Sequence, residues 1–303
     1  MYFQLRRQEI LSPLEEIDDK EDKSSPSRPV SKNDTTSLTF STAVWKAITK
    51  CWAENVYLPV LTDRFLILSI QIFGRYLDWL CGFSSLSSKD GATMKIFVHA
   101  LHDCKILRDR ISRFSLPDSE CVETFREISF DRPEKILFDS LVASLSSSCE
   151  SALRAVSSIA ASFRMTSKAM PTEHSNFLPS ILRPLSHFVR VWGKANYVET
   201  KLLERLVESV LTRAIRKYEI IVTEMMDSVR KTEESLSRLR RLRTSDKRGD
   251  SSDNDSTSKI RKQLYLDLDF LTEQITLLLS EACITKDIQR RVVDAVSSFK
   301  GRI

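Results

Sequence analysis

The chain has 303 residues, 42% hydrophobic and 29% charged, enough apolar side chain to bury the core of one elongated domain or two compact ones. Only six glycines occur, against a usual share of about 7%, which excludes the many tight turns of sandwiches and barrels and the close backbone approaches of dinucleotide-binding crossovers. Forty-six Lys and Arg against 41 Asp and Glu leave a net charge of +5, a mild excess that permits a nucleic-acid partner without indicating one.

Six cysteines (Cys51, Cys81, Cys104, Cys121, Cys149 and Cys283) lie far apart, unlike a dense disulfide framework, and fit a reducing cytosolic compartment. The opening MYFQLRRQEI lacks the apolar run of a secretory signal. The most apolar stretch, Leu66 to Phe83, carries Arg75 and Asp78, so no segment is expected to span a membrane.

In chain order, residues 2–17 read as an N-terminal helix interrupted by Pro13. Six acids and two bases from Glu15 to Lys23, followed by a Ser- and Pro-rich stretch, mark 18–39 as a solvated linker. Beyond it, 40–303 is expected to be helical throughout. Trp45, Ile48, Trp52 and Val56, then Leu61, Phe65, Leu68, Ile72, Tyr76 and Leu80, recur at spacings of three and four and predict two successive helices on either side of Pro59.

A third helix fits Thr93 to Phe114, with Phe97, Leu101, Cys104, Leu107 and Ile111 on one side. Pro133 suits the first turn of the next helix, whose apolar positions continue from Ile136 to Phe163, weakened at the block Ser144 to Ser148. Thr166 to Ser175 reads as a loop, and Phe177 to Trp192 as a shorter helix disturbed by Pro179 and Pro184.

The clearest pattern runs from Glu199 to Arg243 and predicts a single helix of roughly 65 Å. A flexible loop is expected at about 246–258, then a helix through Ile260, Leu264, Leu268, Leu271, Ile275 and Leu278 that returns antiparallel to the long one. A last helix fits Thr285 to Phe299. With no period-two alternation, the fold class is all-α.

His99, His102 and Cys104 are the one cluster of ligand-like types, and an i, i+3 histidine pair can share a helical face. A zinc site normally adds a third or fourth ligand at a recognisable spacing. Neither Cys-x-x-Cys nor His-Glu-x-x-His occurs, and Cys104 fits the apolar stripe of its helix. The phosphate-cradling glycine loops and the Gly-x-Ser-x-Gly elbow are also absent. No catalytic, cofactor-binding or metal-ligating residue is assigned, and the chain is read as a non-enzyme. Trp45, Trp52, Phe65, Phe73, Tyr76 and Trp79 suit a core better than a recognition surface.

Two binding features stand out at the end of the long helix. Arg238, Arg240, Arg241, Arg243, Lys247 and Arg248 crowd together with only Asp246 opposing them. They form a candidate anionic-surface patch, or simply cations that complement the helix C-terminus. As a second reading of function, this patch makes the chain a helical module for an acidic membrane surface or nucleic acid. Leu236, Leu239 and Leu242 form a thin apolar stripe amid charge, a candidate seam for a partner helix.

Several segments together resemble a known family. These are Tyr2-Phe-Gln-Leu-Arg, Val44-Trp-Lys-Ala-Ile-Thr-Lys-Cys-Trp-Ala-Glu-Asn-Val-Tyr-Leu-Pro-Val-Leu-Thr-Asp-Arg-Phe, Leu68-Ser-Ile-Gln-Ile-Phe-Gly-Arg-Tyr, Lys217-Tyr-Glu, Asp227-Ser-Val-Arg-Lys-Thr-Glu-Glu-Ser-Leu-Ser-Arg-Leu and Lys259-Ile-Arg-Lys-Gln-Leu-Tyr-Leu-Asp-Leu-Asp-Phe-Leu-Thr-Glu-Gln-Ile. In this order they resemble the C-terminal region of subunit 2 of the conserved oligomeric Golgi complex, with about 85–195 similar only loosely. Met1 stands directly before Tyr2-Phe-Gln, deep inside the family pattern, so the chain reads as a fragment of a longer family member.

The resemblance implies an elongated helical-bundle rod of the multisubunit tethering type. It also implies a non-catalytic role in intra-Golgi retrograde vesicle tethering, Golgi organisation and retention of glycosylation enzymes. The implied location is the cytosolic face of the Golgi membrane, peripherally bound, with a cytosolic pool. Implied partners are the other subunits of lobe A, with SNAREs, Rab GTPases and golgins as further ligands. No cofactor, nucleic acid or small-molecule substrate is implied.

Overall fold

The structure is a computed structural model that describes residues 1–19, 36–83, 91–116, 119–163, 168–193, 198–243 and 252–302. Among the described residues every regular element is helical: α1 (Tyr2–Asp19), α2 (Thr39–Cys51), α3 (Thr62–Gly82), α4 (Gly91–Arg113), α5 (Ser119–Arg126), α6 (Asp131–Leu153), α7 (Ser158–Phe163), α8 (Leu178–Phe188), α9 (Thr200–Arg243), α10 (Ser252–Glu281) and α11 (Lys286–Lys300). The fold class is therefore all-α, as the spacing predicts. The chain divides into two compact units, Met1–Ser144 and Leu145–Ile303, with the boundary inside α6, where the reading from sequence has 40–303 continuous.

In the first unit α1 packs with the helices beyond the linker instead of standing apart from them. Ile10 and Leu14 are buried, the Tyr2 hydroxyl donates to the Val56 carbonyl at 2.8 Å, and the Phe3 ring meets Phe65 edge-on at 5.4 Å. That burial explains why the helix runs straight through Pro13. Proline removes one backbone hydrogen bond, but the apolar face on either side of it is anchored against other elements. Residues 20–35 of the expected linker lie outside the described residues.

α3 is the centre of the first core. Phe65, Leu68, Ile72, Phe73, Tyr76 and Leu80 are buried on one face, and Phe73 packs edge-on against Phe125 and Phe130. Of the aromatic set from the sequence, Phe65, Phe73 and Tyr76 are fully buried in the core, and Trp45 and Trp79 are half-buried at its edge. Trp52 is half-buried and donates to the Ser69 hydroxyl. α5 has no counterpart among the expected helices, because among its described side chains only Cys121 and Phe125, one turn apart, are buried, too little for a periodic signal.

In the second unit the helix expected to reach Phe163 breaks at a 3-10 turn, Arg154–Ser157, before α7. Ser157 and Ser158 donate to the carbonyls three residues back, at 2.8 and 2.6 Å, and such local bonds compete with the α-helical ladder. α8 tolerates Pro184 because Ile181, Leu182, Leu185 and Phe188 are buried around it, and it continues into a π-turn, Val189–Gly193.

α9, α10 and α11 pack side by side. Glu208 pairs with Arg291 and Glu219 with Arg302, so α11 runs parallel to α9. Lys300 near the end of α11 pairs with Asp269 of α10, and only residues 282–285 connect the two helices, so α10 runs antiparallel to α11. α10 begins at Ser252, inside the loop expected at 246–258, and Thr257 there donates to Glu233 of α9. That neighbouring helix offsets the poor helix propensity of the Ser- and Asp-rich start.

α10 ends in a Schellman motif. Ile284 N–H reaches the Leu279 carbonyl and Cys283 N–H the Ser280 carbonyl, at 3.0 and 3.1 Å, with Cys283 at φ 52°. This is the left-handed position that glycine normally fills.

Candidate interaction surfaces

Each unit uses one buried aspartate to fix the segment that enters a helix. In the first, Asp103 of α4 is fully buried and accepts the Ser37 and Leu38 backbone N–H groups at 2.6 and 2.8 Å. These donors stand at the start of α2, whose own N-cap, Leu38, has no side chain to serve them. In the second, Asp267 of α10 is fully buried and accepts three bonds: the Ser175 N–H at 2.7 Å, the Ser175 hydroxyl at 2.8 Å and Gln263 Nε2 at 2.8 Å. Gln263 also donates to the Glu173 carbonyl at 2.9 Å, and the His174 ring stacks on Phe270. Burial pushes the Asp267 carboxyl above its usual value, against the pull of its donors.

The His99, His102 and Cys104 cluster resolves into this architecture. His102 Nδ1 lies 3.6 Å from Asp103 Oδ1. Burial lowers the His99 pKa and raises that of the fully buried Cys104 thiol. Among the described residues no group of three or more His, Cys, Asp and Glu side chains converges to hold a metal ion.

At the far end of α9 the last deeply buried side chain among the described residues is Val229. Beyond it Leu236 is half-buried and Arg238 exposed, on a segment whose Thr232 and Ser235 hydroxyls bond back to their own helix. Leu239, Arg240, Arg241, Leu242 and Arg243 lie within α9, but their side chains fall outside the described residues, as do Lys247 and Arg248 entirely. One turn nearer the core, a cleft of about 490 Å³ has Val222, Met226, Val229 and Phe299 among its lining, with Glu219, Asp227, Glu233, Arg230, Arg261 and Arg302 around them.

The first unit presents a surface that the reading from sequence missed. On α3, opposite the buried face, Ile67 and Ile70 are 54% and 36% exposed, Gly74 is exposed and Leu77 half-buried. Beside Ile67, Arg7 of α1 and Arg64 line a groove of about 320 Å³ with Phe3, Gln4, Leu68 and Gln71. The signal was present as a second stripe at spacings of three, four and three, masked by the stronger aromatic stripe on the same helix.

No described helix is long and apolar enough to cross a membrane. Fold and surfaces together define an all-α protein of packed helices that leaves apolar strips and charged rims open to solvent. The sequence profile of the family described as "COG complex component, COG2, C-terminal" matches residues 1–268, and the chain belongs to that family.

Among its relatives, "Conserved oligomeric Golgi complex subunit 2" of Arabidopsis thaliana is 26% identical over 88% of this chain and 40% of its own length. The Drosophila melanogaster protein of the same name is 27% identical over 88% and 41%, and the Homo sapiens one 25% over 92% and 44%. The chain thus spans about two-fifths of the length of these relatives.

Proposed function

We propose that this protein works as a non-catalytic part of a vesicle-tethering assembly of the Golgi, binding partners along its helices while making and breaking no bond. The observation that carries the reading is the family match over residues 1–268. An all-α fold with solvent-open apolar strips supports it, because such strips suit helix-on-helix association. The role is intra-Golgi retrograde tethering, with Golgi organisation and retention of glycosylation enzymes depending on it. The protein sits peripherally on the cytosolic face of the Golgi membrane. Its partners are the other subunits of lobe A, with SNAREs, Rab GTPases and golgins meeting exposed faces. The α9 end carrying Leu236, Leu239 and Leu242 is one seam for a partner helix, and the cations from Arg238 to Arg248 favour an acidic protein or lipid surface beside it.

Disrupting the gene and restoring it tests this directly. Loss of the protein is expected to give under-processed Golgi glycans and slowed retrograde recycling, and affinity recovery of the tagged protein is expected to bring down the other complex subunits. Normal glycosylation and recycling in the disrupted cells would overturn the proposal.

A further inference from the structure

The outer face of α3 is apolar, and among the described residues no element covers Ile67 and Ile70. Ile67, Ile70, Gly74 and Leu77 follow one another at spacings of three, four and three, the pattern of a coiled-coil seam, over roughly 15 Å of helix. Gly74 is the informative member. A glycine inside a helix lowers its stability relative to alanine, and a side chain built there would meet nothing within 4 Å. The chain's own packing therefore makes no use of the missing side chain, whereas a closely approaching second helix would.

We propose that this face binds the same face of a second copy of the chain, antiparallel, about a two-fold axis. Heptad geometry applied to an antiparallel pair sets Ile67 against Leu77 of the second copy and Ile70 against Gly74, so that each glycine makes room for an isoleucine. On the flank, the same register brings Arg64 to Asp78 of the second copy, twice by symmetry, and Gln71 to its own symmetry mate. Arg7 of α1 lines the groove beside Arg64, so each Asp78 approaches two cations. A parallel pair would instead stack Gly74 on Gly74 and Ile70 on Ile70 and bring Arg64 and Asp78 to no contact, so the antiparallel arrangement is the one that uses both the glycine and the charges. The seam is short, so the dimer is a weak, reversible one, as small interfaces are. This inference stands apart from the tethering role and survives or fails independently of it.

Sedimentation equilibrium of the whole chain, from about 1 to about 200 μM, covers the affinity of such a contact. A reversible monomer–dimer equilibrium is expected. Arg64→Asp and Asp78→Arg should each weaken it at least about tenfold, and the double charge exchange should restore it. Gly74→Leu should abolish it while circular dichroism shows the helices unchanged. Gln71→Cys should cross-link through the introduced thiols under mild oxidation, located by peptide mapping. Since Arg64 also lies over the Phe3 ring, Asp78→Arg serves as the charge variant free of any effect on α1. A monomer throughout the range overturns the inference. So does a dimer that ignores Asp78→Arg and Gly74→Leu, which would place the contact on another face.

Discussion

Asp267 holds Ser175 twice, its two carboxylate oxygens receiving the backbone N–H and the side-chain hydroxyl of a residue 92 positions earlier in the chain. The bond joins the half-buried segment leading into α8 to a fully buried carboxylate in the middle of α10. Its counterpart in the first unit is Asp103 holding Ser37 and Leu38. In both cases a buried carboxylate is tolerated because donors converge on it.

Asp267→Ala removes the acceptor of the half-buried Ser175 N–H and hydroxyl and of Gln263, which keeps its bond to the Glu173 carbonyl. With about 1 to 3 kcal/mol for a donor left buried and less for one that water reaches, the expected loss of stability is about 2 kcal/mol or more. Asp267→Asn isolates the charge. Because burial raises the carboxyl above its unfolded value, the native state holds the proton more tightly than the unfolded chain does. The stability this group contributes is full below the unfolded value of about 4 and is lost as pH rises through the raised one. Urea unfolding of both proteins between acid and neutral pH checks the sign. The wild-type advantage over Asp267→Asn should shrink as pH rises, and an advantage that grows would contradict it.

Tyr218 stands edge-on to Phe299 at 6.0 Å, with its hydroxyl buried and unpartnered. Burial and the nearby Asp267 push its pKa far up. Tyr218→Phe keeps the ring contact and removes an unsatisfied polar atom. Stability is expected to stay level or rise by up to about 1 kcal/mol, and a fall of that size in thermal unfolding would show that the hydroxyl has a partner.

Cys283 occupies the left-handed position at the end of α10, so Cys283→Gly should raise stability by about 1 kcal/mol. The wild-type thiol is exposed, while burial raises the Cys51 and Cys149 thiols to about 11. The thiolate is the reactive form. Native-state labelling should therefore modify Cys283 first and leave Cys51 and Cys149 unmodified until the protein unfolds.

Gly74→Ala fills open space on a helix and should stabilise the dilute protein by up to about 1 kcal/mol. A destabilised variant in differential scanning calorimetry would reveal a contact at that position.

Leu236→Glu tests the α9 seam. Beyond Val229 the described side chains are no longer deeply buried, so stability should change by no more than about 0.5 kcal/mol. Recovery of complex subunits with the tagged variant should nevertheless fall. Equal losses in both measurements would mean that Leu236 serves the core instead.

Period alone located α3, α4, α9 and α11 to within a few residues, since a continuous stripe of buried side chains is written directly into their spacing. It also foretold the burial of Phe65, Phe73 and Tyr76. The expectation and the structure part where tertiary anchoring or a local side-chain bond overrides the period. Pro13 is carried by the anchoring of Ile10 and Leu14, the start of α10 by Glu233 on α9, and the break before α7 by serines that bond their own carbonyls.

No local pattern could mark Asp103 and Asp267 as buried, because a carboxylate on an amphipathic helix reads as solvated until the donors from 65 and 92 positions away arrive. By itself the chain determined that it folds into helices and which face of each is apolar, because helical period depends on near neighbours only. The tertiary structure alone decided which apolar faces are covered and which, like that of Ile67 and Ile70, stay open, because coverage depends on what the rest of the chain brings alongside.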